Sequence, residues 1–212
     1  MTDVYLEIGP KKVFACAFDW PGWCRVAKGE ENALAALAEY APRYRTIAER
    51  AGLPFDPGAF TVVERTPGGS TTDFGAPEAI PEIDARPVDA ETAERDTALL
   101  RAAWEVFAEV AAVTPEELRK GPRGGGRDRD KMVAHVVEAE RSYARKIGVR
   151  HKPFPMEDLA ALEAMRDDIA EVLSKPSDGS ALVARGWPAR YAARRIAWHV
   201  IDHIWEMEDR RT

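Results

Sequence analysis

The sequence predicts an α+β fold in two parts, a small βββαβ module followed by an up-down-up-down four-helix bundle. Short strand-like stretches with alternating apolar residues occupy the N-terminal region. Residues 52–87 contain 11 Gly and Pro residues among 36, which is typical of a linker. From residue 89 onward apolar residues recur every three or four positions. We therefore divide the chain into a module over 1–65, a connector over 66–88 and a bundle over 89–212.

The N-terminal module begins with three predicted strands. Apolar and polar residues alternate over 4–8, and a β-rich run over 13–20 stops at a Pro-Gly pair. Residues 23–26 form the third candidate strand. Helical spacing over 30–40, with acidic residues in its first turn, predicts one helix. A fourth strand over 60–65 completes the βββαβ unit.

Four amphipathic helices are predicted in the second half of the chain, over 89–113, 128–147, 156–174 and 188–210. Gly148 is suited to end the second helix. Because each helix must bury one apolar stripe, an antiparallel four-helix bundle is the simplest packing.

The composition excludes several classes of protein. The 212 residues carry a net charge of −6, with 45% hydrophobic and 31% charged residues, as in ordinary globular domains. The acidic balance argues against a nucleic-acid partner, and the lack of a run of about eighteen apolar residues argues against a membrane span. The first residues do not resemble a secretory signal, so we expect a cytoplasmic protein in which Cys16 and Cys24 are reduced thiols.

Three histidines lie at positions that should face the core. His199 and His203 are four residues apart on the last predicted helix, and His135 lies on the second, which should run parallel to it. Buried imidazoles without partners cost about 1–3 kcal/mol each, and a divalent metal bound by all three removes that cost. The alternative is that each is an ordinary core histidine with its own hydrogen bonds. Loop residue His151 is not expected to be a ligand.

Three carboxylates are close in sequence to these histidines. Glu138, Asp202 and Glu206 could each orient a ligand ring through its second nitrogen. A carboxylate-bridged di-iron centre would require Glu-x-x-His motifs on two helices, and neither helix carries one. We therefore predict a mononuclear site.

The glycine-rich segment 121–127 precedes the second predicted helix, where anions can bind. A plain flexible loop is the first interpretation of this segment, and the alternative is that Arg123 or Arg127 meets the carboxylate of a substrate there. The segment lacks the Gly-Lys-Ser/Thr ending of a nucleotide P-loop.

Residues 89–212 resemble the DinB-like superfamily, which includes the metal-binding domain of mycothiol-dependent maleylpyruvate isomerases and the bacillithiol transferases. The resemblance rests on His135-Val-Val-Glu-Ala-Glu-Arg in one helix and on His199-Val-Ile-Asp-His203 in another. It implies that His135, His199 and His203 bind zinc, nickel, iron or manganese. It also implies that the metal activates a low-molecular-weight thiol for transfer to, or isomerisation of, a small-molecule substrate.

Residues 3–65 are more faintly similar to the HicB-like antitoxin module, through Asp19-Trp-Pro-Gly22 and Gly29-Glu-Glu-Asn-Ala-Leu34. Only the fold is implied, because no DNA-binding element is evident. A second function of another class stays open, a non-catalytic sensor or protein-interaction module with a structural bundle. The sequence also leaves open whether the chain forms a homodimer.

Overall fold

The computed structural model describes residues 1–121 and 125–211 of the chain. Within them the fold is mixed α+β, with one four-stranded sheet and seven α-helices. The strands are β1 (Thr2–Ile8), β2 (Val13–Ala17), β3 (Cys24–Ala27) and β4 (Phe60–Pro67). The helices are α1 (Glu30–Glu39), α2 (Ala41–Arg50), α3 (Ser70–Phe74), α4 (Ala90–Val113), α5 (Arg129–Ala144), α6 (Leu159–Leu173) and α7 (Ala189–Arg210).

The sheet has the strand order β3-β2-β1-β4, with β4 parallel to β1 and the other pairs antiparallel. A parallel neighbour requires a crossover, which α1 and α2 supply between β3 and β4. The sequence predicted a single helix here, and that prediction is wrong. Pro42 lies in the first turn of α2, where its missing N–H costs nothing, whereas further inside a helix it would disrupt the chain.

Cys16 and Cys24 form a disulfide, which contradicts the prediction of reduced thiols. They are directly paired residues of β2 and β3, and both side chains are buried. The spacing of eight residues in sequence does not reveal the strand register that brings the two side chains together.

The segment between the sheet and the long helices is fastened to β1. It contains α3 and a short 3₁₀ turn, Glu82–Ala85. The fully buried carboxylate of Glu7 accepts hydrogen bonds from the hydroxyl of Thr72 and from the backbone N–H groups of Glu78 and Ala79. Hydrogen bonds to a buried carboxylate therefore hold this segment against β1. Such contacts do not require apolar residues at regular spacing in the sequence.

The four long helices begin and end within three residues of their predicted bounds, and the second continues into a 3₁₀ turn at Arg145–Ile147. Helix α7 lies in contact with α4, α5 and α6. One continuous apolar core joins the sheet module and these helices, and it includes Trp23, Leu37, Leu100 and Ile196. Among the described residues, none of the helices is both long and apolar enough to cross a membrane.

Candidate metal centre

Helices α5 and α7 bring the three predicted histidines together. His135 lies on α5, and His199 and His203 lie one turn apart on α7, which packs against α5. One nitrogen from each ring lies within 4.8 Å of the other two. The Nε2 atoms of His135 and His199 are 3.2 Å apart, close to the ~3.4 Å expected between two nitrogens at tetrahedral positions around one metal ion.

Burial favours the neutral form of His135 and His199. His199 and His203 are 6% and 7% exposed, whereas His135 is half-buried, so the cluster is open on the α5 side. Burial and the neighbouring rings of His203 and His135 lower the pKa of His199 to about 2. Burial and the charge of Arg127 lower the pKa of His135. Neutral imidazoles offer free lone pairs, as metal ligands must.

Glu206 holds the ring of His203. Its Oε2 atom lies 2.9 Å from His203 Nδ1, and its Oε1 atom accepts a hydrogen bond of 2.6 Å from Arg210. Burial alone would raise the pKa of Glu206, but the hydrogen bonds and charges of His203 and Arg210 lower it. An ionised Glu206 is suited to accept a proton from Nδ1 of His203, and Nε2 is then the nitrogen of that ring that can bind a ligand.

The other two predicted carboxylates contact arginines rather than imidazoles. Asp202 Oδ1 lies 3.2 Å from Arg25 of β3, and the exposed carboxylate of Glu138 pairs with Arg141 at 2.6 Å. Consecutive residues of a helix point about 100° apart, so Asp202 faces the sheet although it precedes His203. Of the three, only Glu206 contacts a ring of the cluster.

The aromatic and cationic neighbours of the cluster were not predicted. The ring of Tyr143 packs 5.7 Å from that of His199. The guanidinium of Arg195 lies over the rings of Tyr143 and Trp198, at 5.2 Å and 4.6 Å. Arg195 is four residues before His199, so helical spacing from the histidine could have identified it.

Two buried nitrogen atoms beside the cluster lack a hydrogen-bond partner among the described residues. They are Nδ1 of His199 and one terminal nitrogen of Arg195. Such groups are uncommon in a folded interior because each costs a lost hydrogen bond. The hydrogen bonding of the cluster is therefore incomplete within the described residues.

The remaining predicted residues lie further out. Arg127 is exposed but close enough for its charge to lower the pKa of both His135 and His199. Arg123 lies outside the described residues. His151 pairs with Asp168 at 2.7 Å and does not join the cluster.

Comparison of the chain with protein-family models, with curated proteins and with solved structures finds no match. The DinB-like and HicB-like resemblances therefore stay predictions that rest on the sequence motifs themselves. The function has to be argued from the geometry of this site.

Proposed function

We propose that the chain is a metal-binding protein whose residues 89–212 form a DinB-like up-down-up-down bundle. His135, His199 and His203 would hold one divalent ion. The convergence of the three imidazoles on a common point carries this proposal. As its activity we propose transfer or isomerisation of a small-molecule substrate with a low-molecular-weight thiol.

The donor set fits such an ion. Imidazole nitrogens suit zinc, nickel and iron better than manganese, which prefers oxygen ligands. Three protein ligands leave a position for water or substrate, as in catalytic zinc sites. The half-buried His135 marks the side from which a substrate could approach.

The chain's own residues would orient and confine the reactants. Glu206 fixes the tautomer of His203, and the rings of Tyr143 and Trp198 shield His199 from water. Arg127 would attract an anionic substrate to the open side. A bound metal would supply a lowered thiol pKa and a site for the thiolate.

Metal analysis of protein purified without chelator tests the proposal. We expect close to one equivalent of a divalent metal, lost in His135→Ala and in His199→Ala. His151→Ala is the matched control, since that histidine is held by Asp168 outside the cluster, and it should keep the metal.

A wild-type protein that takes up no metal under any supply would contradict the proposal. It would favour the second function, a non-catalytic sensor or interaction module. Loss of metal in His151→Ala but not in His199→Ala would place the ion elsewhere.

A further inference from the structure

A cavity of about 590 Å³ lies between β3, the segment 119–121 and the C-terminal half of α7. That volume is within the usual range for small-molecule pockets. Four basic side chains line it, from Arg25, Arg119, Lys120 and Arg210. The indole of Trp205 adds an apolar wall.

The cavity and the histidine cluster share a wall. Glu206 lines the cavity and also contacts His203 Nδ1 at 2.9 Å. A molecule in the cavity would therefore be separated by one side chain from a ring of the cluster. Arg25 belongs to β3, so the N-terminal sheet contributes directly to this place.

The charges around the cavity favour a monoanion. Its described lining holds four basic residues against three acidic ones, an excess of one positive charge. All three acids are paired, Asp202 with Arg25, Glu206 with His203 and Arg210, and Asp209 with Arg43. Lys120 pairs with Asp128 outside the lining. No ion pair among the described residues involves Arg119, which donates to the backbone carbonyl of Asp209 at 2.8 Å.

The basic side chains of the lining suit a carboxylate in shape. Arg25, Arg119 and Arg210 each contribute a guanidinium to the lining, and a planar guanidinium matches a carboxylate in geometry. The carboxylates already present on the wall would repel a dianion more strongly than a monoanion.

We propose that this cavity binds a small monocarboxylate, held by Arg25 and Arg119 with its apolar part against Trp205. The further step, that the carboxylate is the substrate of the metal centre, rests on the proposed function. The N-terminal sheet then has a defined role, which is to close the anion-binding side of the site.

The test measures binding of benzoate, its neutral analogue benzamide and inorganic phosphate to the full chain by titration calorimetry. The protein is first freed of metal with a chelator and dialysed. We expect benzoate to bind at least about tenfold more tightly than benzamide, as one charge-assisted hydrogen bond implies. Benzoate should also bind more tightly than phosphate.

Arg25→Gln and Arg119→Gln should each weaken benzoate binding by about tenfold. Arg119→Gln is the cleaner variant because Arg25 also pairs with Asp202. Arg65→Gln is the control, since that exposed arginine of β4 pairs with Glu30 away from the cavity. Equal binding of benzoate and benzamide, tighter binding of phosphate, or no change in Arg119→Gln would overturn the assignment.

Metal content, measured on the same preparations, separates this inference from the proposed function. Benzoate binding without metal uptake would leave the cavity assignment standing and remove the metal centre. Metal uptake with no preference for benzoate would support the metal centre and remove the cavity assignment. Tighter benzoate binding after metal is restored would support the link between the two sites.

Discussion

Helix α5 carries two buried polar clusters that differ in how completely their groups are paired. Near its C-terminal end the carboxylate of Glu140 is fully buried, accepts a hydrogen bond from Trp104 of α4 and pairs with Arg166 of α6 at 2.9 Å. About one turn earlier, His135 meets His199 and His203, and Nδ1 of His199 has no partner among the described residues.

The difference separates a structural cluster from a candidate ligand site. Glu140 joins three helices and has a partner for each carboxylate oxygen, so nothing further is needed to stabilise it. The histidines bring one nitrogen of each ring close together, where neutral imidazoles can offer lone pairs to a metal ion, and Nδ1 of His199 is left without a partner among the described residues. Substitutions at Glu140 should therefore lower the stability of the fold, whereas substitutions at the three histidines should affect metal binding.

The largest effect is expected at the fully paired cluster. Glu140→Ala leaves the Arg166 guanidinium and the Trp104 N–H without their acceptor, and it also leaves a cavity. We expect the free energy of unfolding to fall by about 3–5 kcal/mol, measured by urea denaturation. Glu138→Ala, on the exposed side of the same helix, should change it by less than about 0.5 kcal/mol. A Glu140→Ala protein as stable as wild type would contradict a structural role.

Another buried carboxylate, that of Asp96 on α4, adds a case whose effect on stability depends on pH. It is 4% exposed, and burial raises its pKa to about 7, against the opposing charges of Arg95 and Arg190 and with a contribution from Asp19. The unfolded chain ionises this group near its ordinary pKa, so the folded state binds more protons between the two values. The contribution of Asp96 to the free energy of unfolding is therefore fully present below about pH 4 and is lost as the pH rises through about 7.

Asp96→Asn should remove that dependence. Between pH 5 and pH 8 the free energy of unfolding of wild type relative to Asp96→Asn should fall by at most about 3 kcal/mol. Parallel urea denaturation at the two pH values measures it, with the exposed Asp130→Asn as control. If the difference between wild type and Asp96→Asn rises with pH, the carboxylate is stabilised as an anion and this account is wrong.

Glu206 tests the link between pairing and metal affinity. Glu206→Gln keeps an oxygen that can accept the His203 proton but removes the negative charge shared with Arg210. Loss of such an outer contact weakens metal binding by about 10-fold to 100-fold, which competition with a chromophoric chelator can measure. Asp202→Asn is the matched control, because Asp202 contacts Arg25 and not a ring. Equal affinity in Glu206→Gln and wild type would show that Glu206 does not tune the site.

Much of the histidine cluster was predictable because its information is local. Apolar residues three and four positions apart predicted the long helices, and the four-residue spacing of His199 and His203 predicted that they share one helix face. His135 required one more assumption, that the second and fourth helices place their histidines at similar depth. The break between α1 and α2 also has a local signal in Pro42, and it could have been read from the sequence.

The features that sequence reasoning missed depend on contacts between distant segments. The pairing of Cys16 with Cys24 follows from strand register, and the contact of Arg25 with Asp202 joins residues 177 positions apart. In the sequence Asp202, Glu138 and Glu206 are all close to a histidine, so all three were equally good candidates to contact a ring. Which carboxylate does so depends on tertiary packing. Local patterns therefore identified the three candidate ligands, whereas the residues that contact them could be identified only from the fold.

The smallest effect should have the opposite sign to the others. His199→Leu replaces a buried imidazole whose Nδ1 has no partner among the described residues with an apolar side chain. Metal binding should be lost, yet the metal-free protein should gain about 1 kcal/mol in free energy of unfolding, because an unpartnered buried polar atom is removed. Urea denaturation of chelator-treated wild type and variant measures the gain, with His151→Leu as the comparison at a histidine already paired with Asp168. If His199→Leu instead destabilises the metal-free protein by several kcal/mol, the cluster contributes to folding as the Glu140 cluster does, and the distinction between the two clusters on α5 fails.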